Sequence, residues 1–359
     1  MSQAAEAASA KHANGSAVKP TPLFRIREGG RYGFMNAVGE VVIEPQYLDA
    51  EDFTGDFTRV RFNDKLVPLD RHGRLLLRHV FNFVGPFNAG RARALIVHKW
   101  GYIDTRGALA IPALFDDAHD FSEGLASVAA GDRYGCIDRV GEWRVAPDFE
   151  ALGRFAGGLA CAKRGGRVGF ITPDGEWAIQ PLLQAATHMQ DGVAAFADGD
   201  RWGLIDVAGK VIASPAFALP EGGIEEIGFD EGAAPVLLAD GATFVTSGGD
   251  LLGERRYAQV SAFREGLAGV RVAEDWGYID GEDQTVIEPR YDEVGAFHEG
   301  YAATRRGDWW AFIDVEGHEL DTARYDALGD FRDGLAWVRS GEAWAYVNAS
   351  GEEVWRERV

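Results

Sequence analysis

Aspartate, histidine and cysteine side chains are the groups in this sequence that could support catalysis or metal binding. Five aspartates recur at related positions, and paired carboxylates of this kind could act as general acid and base. They are Asp104, Asp138, Asp206, Asp280 and Asp314. Each stands three residues before a glycine or its substitute, where an aspartate side chain accepts hydrogen bonds from backbone N–H groups of a turn. We therefore predict that these aspartates cap turns.

The histidines and cysteines show no pattern typical of a reactive or metal-binding site. The eight histidines fall at unrelated positions, and the sequence contains no Walker, G-x-S-x-G or H-E-x-x-H motif. Cys136 and Cys161 lack zinc-ligand spacing, so we expect buried free thiols, with a disulfide or redox pair as the alternative. The sequence predicts no catalytic residue, no metal site and no cofactor.

The chain is built from a repeated unit of 34 residues. A glycine that follows an aromatic residue in most copies recurs at single or double steps as Gly33, Gly101, Gly135, Gly169, Gly203 and Gly277, and Ala311 and Ala345 continue the series. About nine and a half copies fit into residues 23–359, with degenerate units near 65–98 and 241–274. One unit carries six extra residues between Phe217 and Phe229. Such a short period indicates a repeat array.

Each unit contains a second glycine six residues after the first, and the two glycines have different predicted roles. The second glycine is replaced only by Asp283, a residue type that tolerates positive φ, so this position demands positive φ. The first glycine is replaced by Ala311 and Ala345, so it needs only a small residue. We therefore expect Gly107→Ala to destabilise the protein more than Gly101→Ala.

The unit has the pattern of three β-strands joined by turns. "WGYID" is one strand, "TVIEP" is a second that ends at proline, and a third follows "F-x-E-G". No segment has a sustained helical period with capping residues. We predict an all-β tandem array of three-stranded repeats that is open and curved or superhelical, because nine to ten units exceed the blade number of most propellers. A closed propeller-like ring is the alternative.

Two units carry the clearest family likeness. "WGYIDTRGALAIPALFDDAHDFSEGLASV" and "WGYIDGEDQTVIEPRYDEVGAFHEGYAAT" resemble WG repeats, a family of bacterial β-repeats. The resemblance extends over residues 23–355. It implies an interaction or ligand-binding array and names no reaction.

Residues 1–22 differ in composition from the repeats. They are rich in alanine, serine and proline and contain no apolar run of signal-peptide length. We expect a disordered leader and residence in the cytoplasm.

Charge narrows the choice of partner. The chain has 36 basic and 56 acidic residues, a net charge of −20, which argues against nucleic acid and an anionic membrane as partners. Residues 57–99 are the exception, with nine basic residues against Asp64 and Asp70, a net charge of +7. This basic unit either neutralises acidic neighbours within the chain or binds a partner.

The basic unit and the insertion are the two departures from the repeat, and together they define the predicted partner-binding site. Insertions in repeat arrays map to loops, often on the binding face. The site comprises Arg71, Arg74, Arg78, Arg91 and Arg93 of the basic unit and Glu221, Glu225 and Glu226 of the insertion. We expect the arginines to contact an acidic surface of an unidentified protein.

Three function classes follow. A non-enzymatic intracellular interaction scaffold, acting as an adaptor or inhibitor, is favoured because repeat arrays offer long surfaces. A carbohydrate or cell-wall-ligand module is the alternative, in which tryptophans outside the repeat phase, such as Trp337 and Trp355, would form the ligand surface. A cryptic hydrolase is the third class and would need perturbed carboxylates in a cleft.

Overall fold

The structure is a computed structural model that describes residues 21–63, 65–76, 81–321 and 323–357. Within these residues the chain forms ten small antiparallel sheets and one 3₁₀ helix, Ile224–Glu226. The all-β prediction is therefore confirmed. The predicted leader lies outside the described residues except for Thr21 and Pro22.

The strands of each sheet follow one another in space in chain order. The first three sheets are β1 (Phe24–Glu28), β2 (Arg31–Met35) and β3 (Val41–Tyr47); β4 (Phe57–Phe62) and β5 (Lys65–Asp70); and β6 (Phe83–Val84), β7 (Arg91–Ile96), β8 (Lys99–Asp104) and β9 (Leu109–Phe115). The next three are β10 (Asp117–Ala118), β11 (Leu125–Ala130), β12 (Arg133–Asp138) and β13 (Trp143–Phe149); β14 (Ala151–Ala156), β15 (Leu159–Arg164), β16 (Arg167–Ile171) and β17 (Trp177–Leu183); and β18 (Ala185–Ala186), β19 (Val193–Asp198), β20 (Arg201–Asp206) and β21 (Val211–Ala218). The last four are β22 (Ala233–Leu238) and β23 (Gly241–Thr246); β24 (Gln259–Val260), β25 (Leu267–Val272), β26 (Asp275–Asp280) and β27 (Thr285–Tyr291); β28 (Glu293–Val294), β29 (Tyr301–Arg306) and β30 (Trp309–Asp314); and β31 (Ala327–Leu328), β32 (Leu335–Ser340), β33 (Ala343–Asn348) and β34 (Glu353–Arg356).

The recurring aspartates cap the turn between the third and fourth strands, as predicted. Oδ1 of Asp104 accepts hydrogen bonds from the N–H groups of Arg106 and Ala108, both at 2.9 Å. Burial alone would raise the pKa of Asp104, but these bonds and the Arg106 side chain hold it below its usual value. Asp138, Asp206, Asp280 and Asp314 bind the equivalent N–H groups in their own turns. The turn glycine Gly107 has φ +72° and Asp283 has φ +60°, which confirms the demand for positive φ.

The glycine after the aromatic residue is required by a β-bulge on the neighbouring strand. Between Trp100 and Tyr102 the pairing of β8 with β9 shifts register. A Cβ atom on Gly101 would lie 2.6 Å from the backbone O of Ile111 and 2.7 Å from the backbone N of Ala113. These atoms belong to a paired strand and cannot easily move. Only glycine therefore fits at position 101 without a shift of the paired strand.

The two alanine copies occupy sheets in which this bulge is missing. Ala345 pairs directly with Arg356 of β34, and beside Ala311 the chain makes only isolated bridges, from Trp310 to Tyr325 and from Ile313 to Glu319. Alanine thus occurs where the opposite backbone does not bulge against it. The structure therefore leads us to predict the opposite order from the sequence, with Gly101→Ala as the more destabilising substitution.

Neighbouring sheets are joined by apolar clusters and by one repeated contact. Tyr278 of the eighth sheet packs against Phe297, which leads into the second strand of the ninth, with ring centroids 4.9 Å apart. The turn glycine of each sheet also lies on the fourth strand of the preceding sheet. A Cβ atom on Gly141 would be 3.0 Å from Ile111, and one on Gly175 would be 3.1 Å from Val145. The same contact therefore stacks each sheet on the one before it.

This contact also joins the first sheet to the last. A Cβ atom on Gly39 would lie 2.6 Å from the backbone O of Val354 in β34. The Tyr346 hydroxyl donates a hydrogen bond to the Arg25 carbonyl at 2.9 Å, and the rings of Phe24 and Tyr346 meet edge to face at 5.7 Å. Leu335 completes a shared apolar cluster. The first sheet thus takes the place that would follow the last.

The predicted all-β tandem array is confirmed, and the contacts between its first and last sheets are those expected of the closed propeller-like ring that the sequence analysis gave as the alternative. The ring accommodates ten sheets, where nine and a half copies were expected, because each unit is small. The first strand of most four-stranded sheets has only two residues, as in Asp117–Ala118. The degenerate units near 65–98 and 241–274 contribute β5 and β23, one strand of each two-stranded sheet, and parts of the sheets that follow.

Candidate partner-binding site

The insertion contributes to the core as well as to the surface. Ile224 and Ile227 are buried in the cluster between the sixth and seventh sheets. Glu221, Glu225 and Glu226 are exposed, as the sequence predicts. The core therefore absorbs the apolar part of the insertion, and only its acidic residues are available to a partner.

Most described arginines of the basic unit make contacts within the chain. Nε of Arg74 lies 2.6 Å from Oδ2 of Asp70. Nε of Arg93 lies 3.0 Å from Oδ1 of Asp120, close enough for an ion pair but outside hydrogen-bond geometry, and its Nη1 donates to the Ala118 carbonyl at 3.1 Å. Internal charge balance thus accounts for part of this unit.

Arg71 and Arg91 contact backbone carbonyls of the chain. Nη1 of Arg71 donates to the Gly55 carbonyl at 2.7 Å. Arg91 has no carboxylate within 4 Å among the described residues, and its buried Nε has no hydrogen-bond partner there. Arg78 lies outside the described residues.

Arg71 lines a cleft at the junction of the two chain ends, which we call the closing cleft. It has a volume of about 660 Å³ and is lined by the first, second and last three sheets, including Asp52, His298, Glu299 and Asp333. Burial lowers the pKa of Arg71, and the charges of Asp56 and Asp333 oppose this effect. The closing cleft is predominantly acidic, so it does not suit an acidic partner.

A second cleft brings together one residue from each predicted half of the site. This first-strand cleft has a volume of about 810 Å³ and runs along the first strands of the fourth to sixth sheets. Arg93 of the basic unit and Glu225 of the insertion both line it, together with Arg154, Lys163 and His188. Arg74 and Arg71 do not take part. The predicted residues thus form two separate surfaces, of which the first-strand cleft is the basic one.

Arg154 and Lys163 are binding candidates that the sequence analysis missed. Both side chains are exposed, and neither has a carboxylate within 4 Å in the described part of the chain. Nη2 of Arg154 lies 2.5 Å from Nε2 of His188. Burial first, and then the charge of Arg154, lowers the pKa of His188, so His188 is neutral and accepts this hydrogen bond at pH 7. Arg154 and His188 hold equivalent positions one unit apart, which is the signal that could have revealed them.

Both cysteines are free thiols, as predicted. Burial raises the pKa of Cys136 and of Cys161 to about 11. Both are therefore protonated at neutral pH and poorly nucleophilic.

The F-x-E-G loops form a ladder of carboxylates that links one unit to the next. In this two-residue turn both residues have positive φ, and their N–H groups receive the carboxylate of the residue 34 positions earlier. Oε1 of Glu299 accepts the N–H of Asp333 and Oε2 accepts that of Gly334, both at 2.7 Å. Equivalent bonds run from the Gly157–Gly158 turn to Glu123, from the Glu265–Gly266 turn to Glu231 and from the Glu299–Gly300 turn to Glu265. We call this set the carboxylate ladder, and we call each pair of turn N–H groups that can receive a carboxylate a rung.

Removing one rung is expected to destabilise the ring modestly. Glu299→Ala leaves the N–H groups of Asp333 and Gly334 to water and should lower the free energy of unfolding by about 1 kcal/mol. The matched control is Glu282→Ala, since the Glu282 side chain is exposed and makes no ion pair with the described residues. Urea denaturation measures both; equal effects would show that the ladder bonds contribute nothing.

The sequence matches the family model described as "WG containing repeat" over more than half of its length. The matched residues are 32–65, 100–133, 134–167, 169–202, 276–308 and 310–344. The chain belongs to this family. The six matched segments run from one sheet into the next and include strands of every sheet except β22–β23, which follows the insertion.

Solved structures with a similar fold share little sequence with this WG-repeat protein. A structure described as the eukaryotic initiation factor aligns with a TM-score of 0.54 and 11% identity over 94% of this chain and 96% of its own. The dihydro-heme d1 dehydrogenase NirN aligns at a TM-score of 0.39 and 13% identity over 95% and 77%. Kluyveromyces lactis Hsv2 aligns at 0.33 and 11% over 54% and 71%. The initiation factor supports the fold along the whole chain and indicates nothing about function.

No curated protein matches the sequence. The described part of the WG-repeat chain contains no helix with the length and apolar character needed to cross a membrane.

An aromatic pocket lies between the first and last WG-repeat sheets. It has a volume of about 210 Å³ and is lined by Tyr32, Trp337, Trp344 and Trp355, with Arg27 at its side. The indole rings of Trp337 and Trp344 are 4.8 Å apart and inclined by 40°. Trp337 and Trp355 are the residues that the sequence proposed for a ligand surface.

The described residues also contain one cluster of three metal-type ligands. The ligand atoms of Asp314, Glu316 and His318 lie within 4.8 Å of one another on an exposed turn. Oδ1 of Asp314 caps this turn through the N–H groups of Glu316 and His318. The cluster is explained by the turn.

Proposed function

We propose that this protein is a non-enzymatic interaction scaffold that acts in the cytoplasm as an adaptor or inhibitor and binds an acidic segment of a dedicated partner protein in the first-strand cleft. One observation carries the proposal. Residues from both departures of the repeat, Arg93 and Glu225, line the same cleft, and two of its cations, Arg154 and Lys163, are not paired with a carboxylate among the described residues.

The charge distribution supports an acidic ligand at this cleft. The chain carries a net charge of −20, so most of its surface repels an acidic partner. Unpaired cations in a cleft attract such a partner locally, and repulsion elsewhere suppresses other binding modes. The partner should therefore bind at this cleft and not elsewhere on the surface, and its affinity should fall as the salt concentration rises.

The engagement of the recurring aspartates supports a non-enzymatic role. Their carboxylates accept the N–H groups of their own turns, as Asp104 and Asp138 show. The pKa values of Asp104 and Asp138 are held below the usual value by these bonds, against the effect of burial, whereas a general acid needs a raised pKa.

Charge reversal in the cleft tests the proposal. Tagged protein is used to capture partners from the native cell, and bound proteins are identified by mass spectrometry after cross-linking. We expect Arg154→Glu with Lys163→Glu to abolish capture of the partner that the unaltered protein retains, because both unpaired cations are replaced by acids.

The matched control is Arg133→Glu with Arg167→Glu, which makes the same change in charge on exposed residues of neighbouring third strands that do not line the cleft. Circular dichroism and thermal melting show whether both variants remain folded. Equal capture by the cleft variant and the unaltered protein would contradict the proposed function.

The aromatic pocket favours a second candidate, binding of a carbohydrate. Trp344 is 36% exposed and could stack on a sugar ring, as aromatic side chains in sugar sites do. Binding in a glycan array that is lost in Trp344→Ala would support this function over the first.

A further inference from the structure

The carboxylate ladder has an unfilled rung in the basic unit. The turn Ala89–Gly90 has the same conformation as the filled rungs, with φ +49° and +76°, compared with +54° and +83° at Glu299 and Gly300. The residue 34 positions before Ala89 is Gly55, which has no side chain to offer. No described residue accepts a hydrogen bond from the N–H groups of Ala89 and Gly90.

Two guanidinium groups flank this unfilled amide pair. Nη2 of Arg139 lies 3.6 Å from the position that a Cβ atom on Gly90 would take, and Nη1 of Arg91 donates to the Gly90 carbonyl at 3.1 Å. Within the described residues neither arginine has a carboxylate within 4 Å, and the buried Nε of Arg91 lacks a partner. Donors and charge of this kind are what a carboxylate requires.

Other rungs without an incoming carboxylate lack this environment. The turns that begin at Glu123 and Asp191 carry an acidic side chain of their own, as the filled rungs at Glu265, Glu299 and Asp333 also do. Ala89 carries no charge. A non-glycine residue at positive φ is also unfavourable, and alanine gains no local hydrogen bond from it. The basic unit therefore keeps the shape of the rung and removes the negative charge.

We propose that the amide pair of Ala89 and Gly90, with Arg91 and Arg139, binds the carboxylate of an aspartate or glutamate side chain from the partner protein. The bound carboxylate takes the place that Glu299 takes on Asp333 and Gly334 within the chain. This inference rests on the proposed function. Asn88, which precedes the turn, lines the first-strand cleft, so an acidic segment in that cleft reaches the rung directly.

The chain offers a variant that fills the rung from within. Gly55 has φ +65°, close to the +54° of Glu299, and a Cβ atom there meets no other atom within 4 Å. Gly55→Glu should therefore place a carboxylate on the N–H groups of Ala89 and Gly90. It should raise the melting temperature although it adds negative charge to an acidic protein. The control is Gly199→Glu, at another turn glycine with positive φ and free space.

Fluorescence anisotropy with a fluorescein-labelled hexaglutamate peptide tests the site. We expect Gly55→Glu and the double variant Arg91→Gln with Arg139→Gln each to weaken binding at least ten-fold. Gly199→Glu and Arg133→Gln with Arg167→Gln should stay within two-fold of the unaltered protein. Urea denaturation checks that each variant is folded.

Two results would overturn the inference. One is unchanged peptide binding in both rung variants, or no binding by the unaltered protein at millimolar peptide. The other is equal weakening in the control variants, which would indicate general attraction to positive charge. Capture of the native partner depends on Arg154 and Lys163 in the preceding test, so it can survive this failure and the two proposals can be separated.

Discussion

Gly101→Ala is expected to lower the free energy of unfolding by about 3 kcal/mol, and Gly107→Ala by about 1 kcal/mol. The first change forces a methyl group to within 2.6 Å of the Ile111 backbone O, across a bulge that the pairing of β8 and β9 holds in place. The second places alanine at φ +72° with Cβ of Leu76 2.8 Å away, but Leu76 lies outside the paired strands of the sheet. Urea denaturation of both variants measures the difference.

Ala311→Gly is the control for this prediction. Because isolated bridges at Trp310 and Ile313 replace a bulged fourth strand beside Ala311, the added backbone freedom should cost about 1 kcal/mol or less and relieve no clash. A Gly101→Ala variant that is as stable as Gly107→Ala would show that the bulge yields to a methyl group.

Phe24→Ala is expected to cost about 3–4 kcal/mol, as for the truncation of a fully packed core phenylalanine. Phe24 is 6% exposed although it begins the first strand of the described chain, because Tyr346 and Leu335 of the last sheet cover it. In an open array this ring would lie on a terminal sheet, and its removal would cost much less. The free energy of unfolding from urea titration gives the value.

Phe62→Ala provides the comparison, since Phe62 is 37% exposed at the end of β4. Its truncation should cost about 1 kcal/mol, in keeping with partial burial. Similar small losses for both variants would contradict the packing of the first sheet on the last.

The local features of the fold could be predicted because each is repeated with small variations. Asp283 in place of a glycine identified the demand for positive φ, and the structure gives that residue φ +60°. The aspartates before the turns were assigned to caps for a reason local to the turn. The role of Gly101 was misjudged because Ala311 and Ala345 lie in units without the bulge.

Ring closure and the binding surface could not be predicted in the same way. Closure depends on a small rotation between sheets that accumulates over the chain, and no single unit reveals it. The contact of Gly39 with Val354 is visible only when both ends are placed. The pairing of Arg93 with Asp120 and the isolation of Arg91 likewise depend on which sheets are neighbours. The sequence identified the unusual unit but not which of its charges are free.

Small-angle X-ray scattering in solution is the most direct test of the closed ring. A closed ring of 359 residues should have a radius of gyration near that of a compact domain of this length, about 21 Å, and a pair-distance distribution with a single maximum. A radius of gyration well above this value, with a distribution extended to long distances, would contradict the contact between the first and last sheets.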